Sequence, residues 1–455
     1  MNRARWSSQS AFLLAAIGGA LGLGNIWRFP YVAGTSGGGA FVIIYIGFIV
    51  LIGIPLVMAE LALGRRGGQS AVKTMQKLTA DEGRSTFWHA GGWFAIVTPI
   101  IALTFYSVVA SWSLDYIYKA FTGRFTGISG TESADLFNGL LADPFRMAVW
   151  TALFLLISGG VVALGVRRGL ETTVKLLMPA LGLIIAGLVI YAAITADFSG
   201  ALAFLFTPDF SKVTGTVVLK AMGQAFFSLT VGVGAMITYG AYMSPSISIP
   251  RAACAIAAAD TLSALLMGLA IFPLVFAHNL APAEGPGLIM VTLPIAFGQV
   301  PGGIVVGTLF FILMFIAALT SALAMIEPMV SWLEEQRGLH RSLATALLIG
   351  GVWVASLSMV LSFNDWSDVH PLGFIEFFAT MTMFDLMDFF AANIMVPCGA
   401  LLLALFSGWA MSSHSLRAEL GLSDGPLFRA WMALVRYVAP LAIGAILIGN
   451  LLGFD

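Results

Sequence analysis

Charge and cysteine are what this 455-residue chain is short of. Lys and Arg number 22, Asp and Glu 23, and together they make up 10% of it, against 59% hydrophobic residues. A soluble domain carries roughly 25% charged residues, so this composition belongs to a polytopic membrane protein. A formal net charge of −1 argues against a nucleic-acid partner. The two cysteines, Cys254 and Cys398, lie in or beside apolar runs and offer neither a disulfide framework nor metal-ligand spacing. Histidines at 89, 278, 340, 370 and 414 are scattered. No Ser/His/Asp arrangement, metal cluster or phosphate loop falls at one depth, so neither an enzyme nor an organic cofactor is expected. The N-terminal segment has no small-residue cleavage site after a short apolar core, so a cleaved signal peptide is not expected either.

What the chain has is long apolar runs. Stretches able to cross about 30 Å of hydrocarbon fall near 9–30, 40–63, 92–120, 145–165, 170–195, 216–242, 252–278, 303–332, 342–362, 383–408 and 431–453, eleven in all. Lys and Arg concentrate in alternate loops (Arg65, Arg66, Lys73, Lys77 and Arg84 in one of them), which places the N-terminus inside and the C-terminus outside. A multi-pass protein of the inner (plasma) membrane follows. Of the outside loops, about 121–144 and 280–301, the second contains LIMVTLPIAFGQVPGG and is apolar enough to fold back as a lid.

Two of the runs are interrupted. Residues 16–30, AIGGALGLGNIWRFP, carry four glycines inside the first span. Each costs roughly 1 kcal/mol against alanine in a helix and frees backbone groups that hydrocarbon cannot satisfy. The sixth span repeats the pattern in QAFFSLTVGVGAM, with Gly232 and Gly234. Interrupted spans in corresponding positions point to a transporter built from repeats, with its site at the midplane. Repeat one covers about 9–197, repeat two about 216–408, with an extra helix at about 431–453 in a single transmembrane domain. The two repeats start from opposite sides, so they are inverted.

Ionisable residues at membrane depth cost roughly 2.5–3.5 kcal/mol each. Asp115 and Lys175 are expected to snorkel from helix ends. Glu60 reads as a strut for freed amides, or as a proton carrier. Asp260, within alanines, needs a cation or a donor, and a cation is favoured. Thr320 and Ser321 could bond back to their own helix, or supply oxygens to a hard cation. Tyr106 reads equally as a packing tyrosine or as a donor to an anionic ligand group.

GLGNIWRFP, GGGAFVIIY and IPLVMAELALGRR, with TPDF at 207–210, TLPIAFGQVPGG and ALTSALAMIEPMVSWLEE, resemble the neurotransmitter:sodium symporter family, prokaryotic branch, over about residues 3–450. The resemblance implies a LeuT-type 5+5 inverted-repeat fold with unwound helices 1 and 6. It also implies sodium-driven amino-acid uptake by a monomer or homodimer in the lipid bilayer. One sodium would use Ala20 (carbonyl), Asn25, Ser228 and Asp260, together with the substrate carboxylate. The other would use carbonyls of Gly18, Leu21 and Ala317 with the hydroxyls of Thr320 and Ser321. The carboxylate would meet the amides of Leu23 and Gly24 and the Tyr106 hydroxyl. The amino group would meet carbonyls of Ala20, Phe227 and Ser228 and the Thr230 hydroxyl. Ala102, Phe227, Thr230, Val233, Ser321 and Met325 would line the side-chain pocket.

By the same matching, Arg28 and Asp388 would gate the outer side above Phe227. Arg3 and Glu335 would pair at the inner side beside Trp6 and Tyr242. Gly169 and Pro179 match members whose fifth helix unwinds; the alternative is a helix cap and an ordinary tolerated proline. Asp260 stands where many members have asparagine, Ser228 where many have threonine, and Ala264 where some chloride-independent members carry a carboxylate. Because Asp260 is itself a fixed negative charge, no chloride requirement is expected. Ala102 and Val233 are smaller than the valine and phenylalanine of a leucine-binding member, so a neutral, hydrophobic or aromatic amino acid is expected. Each sodium gains roughly 2.3 kcal/mol from 100 mV and about 1.4 from a tenfold gradient. The alternative is a proton-coupled amino-acid permease of the same architecture, motivated by Glu60 and Asp260.

Overall fold

A computed structural model describes residues 5–277 and 287–452. Among them there is no β-strand, only an isolated bridge between Gly38 and Pro208. Nine continuous helices among the described residues are long and apolar enough to cross a membrane: Gly39–Gly67, Thr86–Phe121, Pro144–Ala163, Val166–Thr195, Ile249–Ala277, Gly303–Arg337, Arg341–Leu361, Met383–Ala410 and Pro426–Leu451. The remaining two expected spans are the interrupted ones. The first divides into Gln9–Ala20 and Gly24–Thr35, bent by 54°. The sixth divides into Gly215–Ser228 and Ala235–Ala241.

The boundaries follow the apolar runs closely, with one instructive difference. The first span runs on to Thr35 instead of stopping near residue 30. Pro30 falls inside the helical stretch Gly24–Thr35, just after the widened turn Gly24–Arg28, so the helix continues past a residue that commonly ends one. The fifth span is continuous from Val166 to Thr195, with Gly169 in a widened first turn and Pro179 in its interior. It is therefore not unwound here, as the match to Gly169 and Pro179 allowed.

The third and eighth spans, Thr86–Phe121 and Gly303–Arg337, form the most extensively buried pair and make the scaffold against which the first and sixth are set. Asp115 contributes to this scaffold in a way that corrects the snorkelling expectation. It is fully buried, ion-paired to Lys119 (2.9 Å) and to Arg146, and accepts a hydrogen bond from Trp150 Nε1 (3.1 Å). Lys175 is half-exposed and pairs with Glu171 at 2.6 Å. The described part of the expected lid, Leu288–Gln299, is a short helix packed on the end of the third span. Tyr116 donates to the Met290 carbonyl (2.9 Å) and Ser133 to the Val291 carbonyl (2.8 Å). Residues 278–286 lie outside the described residues.

Candidate functional site

The breaks in the first and sixth spans are built differently. In the first, Ala20 ends a helix, Leu21 adopts an extended conformation (φ −69°, ψ 98°), and helical geometry resumes at Gly24. In the sixth, residues between Ser228 and Ala235 turn through three left-handed positions, Thr230 (φ 50°), Gly232 (φ 86°) and Gly234 (φ 79°). A Cβ at Gly232 would lie 2.4 Å from the Val396 carbonyl oxygen, and one at Gly234 2.2 Å from that of Ala95. Only glycine meets both the dihedral and the contact. Glu60, fully buried in the second span, accepts the freed Gly232 amide at 2.7 Å, which is the strut geometry.

Asp260 lies in the seventh span against both breaks. Asn25 Nδ2 donates to its Oδ1 (2.8 Å) and to its backbone carbonyl (3.1 Å), and Ser228 Oγ donates to Oδ2. The Tyr45 hydroxyl reaches Ser228 Oγ (3.3 Å) and Asp260 Oδ2 (3.4 Å). All four side chains are buried. A carboxylate in so dry a place is stable only with donors or a cation, and here donors surround it. Tyr45 escaped the sequence reading because a tyrosine in an apolar helix looks like packing. Gln224 was also missed; its Nε2 donates to the Gly24 carbonyl (3.2 Å), and its Oε1 is buried without a protein partner among the described residues.

The second oxygen cluster joins the first and eighth spans. Ser321 Oγ donates across to the Leu21 carbonyl (3.2 Å) and reaches that of Gly19 (3.5 Å). Thr320 instead bonds back along its own helix, to Ile316 (3.2 Å) and Ala317 (3.1 Å) carbonyls. Both are buried. A Cβ at Gly18 would stand 3.2 Å from Thr320 Cβ, so the two helices are in close contact at this level. Both hydroxyls therefore donate to carbonyls, Ser321 across to the first span and Thr320 within its own helix.

Between the clusters lies a cavity of about 70 Å³. All eleven residues expected to hold the substrate line it: Ala20, Leu23, Gly24, Ala102, Tyr106 and Phe227, then Ser228, Thr230, Val233, Ser321 and Met325. The sequence reading did not include Phe105, nor Ala391, Ala392 and Val396 of the tenth span. These are small or apolar residues without a motif to mark them. Among the described residues no acidic or basic side chain lines the cavity. The Tyr106 and Thr230 hydroxyls are buried and have no protein hydrogen-bond partner among the described residues. A buried polar atom left this way costs about 1–3 kcal/mol, which a polar ligand would recover.

Gly22 marks the tightest approach. A Cβ there would fall 2.7 Å from Ser321 Oγ and 3.4 Å from the Tyr106 hydroxyl. Gly22→Ala is expected to push Ser321 off its rotamer, at about 0.5–1.5 kcal/mol. Ligand or sodium affinity should then fall up to about tenfold. Titrating sodium against thermal stability measures this, and an unchanged midpoint contradicts the close contact.

On one side of the cavity Phe227 is partly exposed, with the Arg28 guanidinium over its ring, 4.7 Å from the centroid. Above it opens a larger cavity of about 580 Å³ lined by Arg28, Lys220, Asp388 and Asn450, among others. Arg28 and Asp388 thus face the same cavity. On the opposite side Trp6 is buried, its Nε1 bonded to the Tyr239 carbonyl and its amide to that of Tyr242, both at 3.2 Å. The Tyr242 hydroxyl donates to Glu327 Oε1 (2.7 Å), and Glu327 is ion-paired to Arg341, which also holds Glu334 (2.9 Å). Glu335 accepts the Ser70 amide (2.8 Å). Its expected partner, Arg3, lies outside the described residues.

Comparison with known proteins gives a consistent result. A family model described as the sodium:neurotransmitter symporter family matches residues 3–133 and 141–454. An uncharacterised sodium-dependent transporter of Bacillus subtilis, YhdH, is 37% identical over 99% of this chain and 98% of its own. An uncharacterised sodium-dependent transporter of Methanocaldococcus jannaschii is 30% identical over 98% of this chain and 90% of its own. Among solved structures, MhsT in complex with L-phenylalanine superposes with a TM-score of 0.89 at 38% identity, covering 99% of this chain and 100% of that one.

Proposed function

We propose that this chain, which belongs to the sodium:neurotransmitter symporter family, imports a neutral hydrophobic or aromatic amino acid by alternating access, driven by two sodium ions and without chloride. The observation that carries this reading is the cavity between the breaks. Among the described residues its lining has no acidic or basic side chain to meet a charged substrate, and the peptide groups at its ends suit a zwitterion. Amides of Leu23 and Gly24 at a helix start attract the carboxylate, with the buried Tyr106 hydroxyl as a further donor. Carbonyls of Ala20, Phe227 and Ser228 and the Thr230 hydroxyl receive the ammonium group. That MhsT is seen with L-phenylalanine supports the same substrate class.

Each sodium is then cargo held by oxygens, as hard cations prefer. The first takes Asp260, Ser228, the Ala20 carbonyl and Asn25, whose amide turns its oxygen inward in place of its present bond to Asp260. The second takes Thr320 and Ser321 with carbonyls of Gly18, Leu21 and Ala317, the hydroxyls exchanging carbonyl acceptors for the ion. The N-terminus is cytoplasmic, and residues 9–197 and 216–408 form the inverted halves. Substrate enters past Arg28 and Asp388 and leaves when Trp6, Tyr242 and Glu335 separate.

Thermal unfolding of the detergent-purified chain with each of the twenty amino acids, in sodium or potassium, tests the assignment. Stabilisation is expected from phenylalanine, tryptophan, tyrosine or leucine in sodium alone. Glutamate or lysine outperforming every neutral amino acid overturns the substrate class. Equal stabilisation in potassium overturns sodium coupling and favours the proton-coupled permease.

A further inference from the structure

At the foot of the tenth and eleventh spans, remote from the cavity between the breaks, lies a second concavity of about 300 Å³ lined by Arg417, Asp424, Arg429 and Arg436, with Phe428 and Tyr437. Three arginines face one aspartate. Asp424 holds two of them, Arg417 Nη1 at 3.1 Å and Arg429 Nε at 3.4 Å. It thereby orients their remaining N–H groups without cancelling the charge. Arg436 Nε donates to the Gly408 carbonyl (2.6 Å), and its terminal nitrogens have no protein acceptor among the described residues. Arg429 and Arg436, seven residues apart, lie on one face of the eleventh span with Met432 and Ala433 between them.

The surroundings place this cavity at the level where headgroups lie. Arg436 stacks over Trp409 (5.1 Å to the ring centroid), and Trp409 meets Tyr437 edge-on at 5.5 Å. Both aromatics are about half-exposed, as expected of rings at a membrane interface. Leu441, exposed farther along the same span, offers apolar surface for an acyl chain on the bilayer side of the arginines. Fixed guanidinium groups beside interfacial aromatics and a lipid-facing leucine suit a phosphate that carries acyl chains better than a free anion. The same end of the molecule bears Arg65 and Arg84, both anchored to residues near this cavity, Glu419 and the Ala410 carbonyl.

We propose that this arginine cavity binds the phosphate of an anionic phospholipid from the adjoining leaflet, in bidentate contact with Arg429 and Arg436. The site is independent of the substrate assignment, because its readout is lipid retention and not transport.

Native mass spectrometry of the full chain in detergent with added phosphatidylglycerol, phosphatidylethanolamine or inorganic phosphate is the test. Phosphatidylglycerol is expected to remain bound and to be retained about thirtyfold less by Arg429→Gln/Arg436→Gln, at about fivefold per arginine. Arg429→Gln alone, which leaves the Arg436–Gly408 bond between the spans intact, should show the single-arginine loss. A control with the same loss of charge at exposed sites, Arg168→Gln/Arg251→Gln, should retain the lipid. Equal retention by the cavity variants overturns the proposal, as does equal loss in the control. So does displacement of the lipid by millimolar inorganic phosphate, which would mark a free-anion site.

Discussion

Asp260→Asn is expected to lower sodium-driven uptake about a thousandfold in chloride-free medium. The substitution keeps the volume of the side chain and one acceptor oxygen, which Asn25 can still reach, while the Ser228 and Tyr45 hydroxyls can rotate to accept from the new amide. What it removes is the fixed charge. A sodium ion about 4 Å from a carboxylate gains about 4 kcal/mol at an effective dielectric constant near 20, which is about three decades of affinity. Asp260 is fully buried, and among the described residues no other acidic side chain is bonded to the cluster that it forms with Asn25, Ser228 and Tyr45. Nothing else therefore compensates the ion. Uptake into proteoliposomes in sodium gluconate and in sodium chloride measures the effect. Wild-type uptake should be the same in both salts, and partial rescue of the variant by chloride would show that a mobile anion can replace the lost charge. Undiminished uptake by Asp260→Asn in gluconate removes Asp260 from the sodium site.

Arg341→Ala is expected to destabilise the inner side by about 3–5 kcal/mol, the usual consequence of removing one partner from a buried ion pair. Glu327 is fully buried in the eighth span, and Arg341, largely covered, is its cation. Arg341 also bonds the Val162 carbonyl (2.8 Å) and Glu334 (2.9 Å), so one side chain ties the fourth, eighth and ninth spans. Glu327 in turn accepts from Tyr242, against which Trp6 packs edge-on at 6.2 Å. Loss of the arginine thus strands a carboxylate directly behind the proposed inner gate. Earlier thermal unfolding should be accompanied by easier labelling of a cysteine placed on the inner path. Glu327→Gln in the same background should restore much of the stability, because the stranded charge is then gone. If Arg341→Ala unfolds at the wild-type temperature, the pair is not a structural tie.

Much of this was legible in the sequence because hydrocarbon is an exacting solvent. A run that must satisfy its own backbone groups across about 30 Å can be little other than a helix, which is why the spans fall where the apolar runs do. A cluster of glycines in such a run contradicts that requirement. Gly22, Gly24, Gly232 and Gly234 therefore announce the breaks before any coordinate is known. Single charges in apolar runs announced that Asp260 and Glu60 had partners.

The partners themselves were not announced. The sequence shows Lys119 four residues after Asp115, but Arg146 and Trp150 arrive from another helix and convert an expected snorkelling residue into a buried tie. Tyr45, Gln224 and the small residues of the tenth span join the site in the same way, from helices distant in the chain and without local pattern. Ser321 and Thr320 are neighbours with the same chemistry, yet one reaches the first span and the other bonds its own helix. By itself, then, the sequence determined a membrane-spanning helical protein with two breaks and buried acids, because burial in lipid and backbone hydrogen bonding are local demands met residue by residue. Only the tertiary structure decided which oxygens and cations meet, because helix packing sets the rotation and depth of each helix, and a displacement of one turn exchanges every partner.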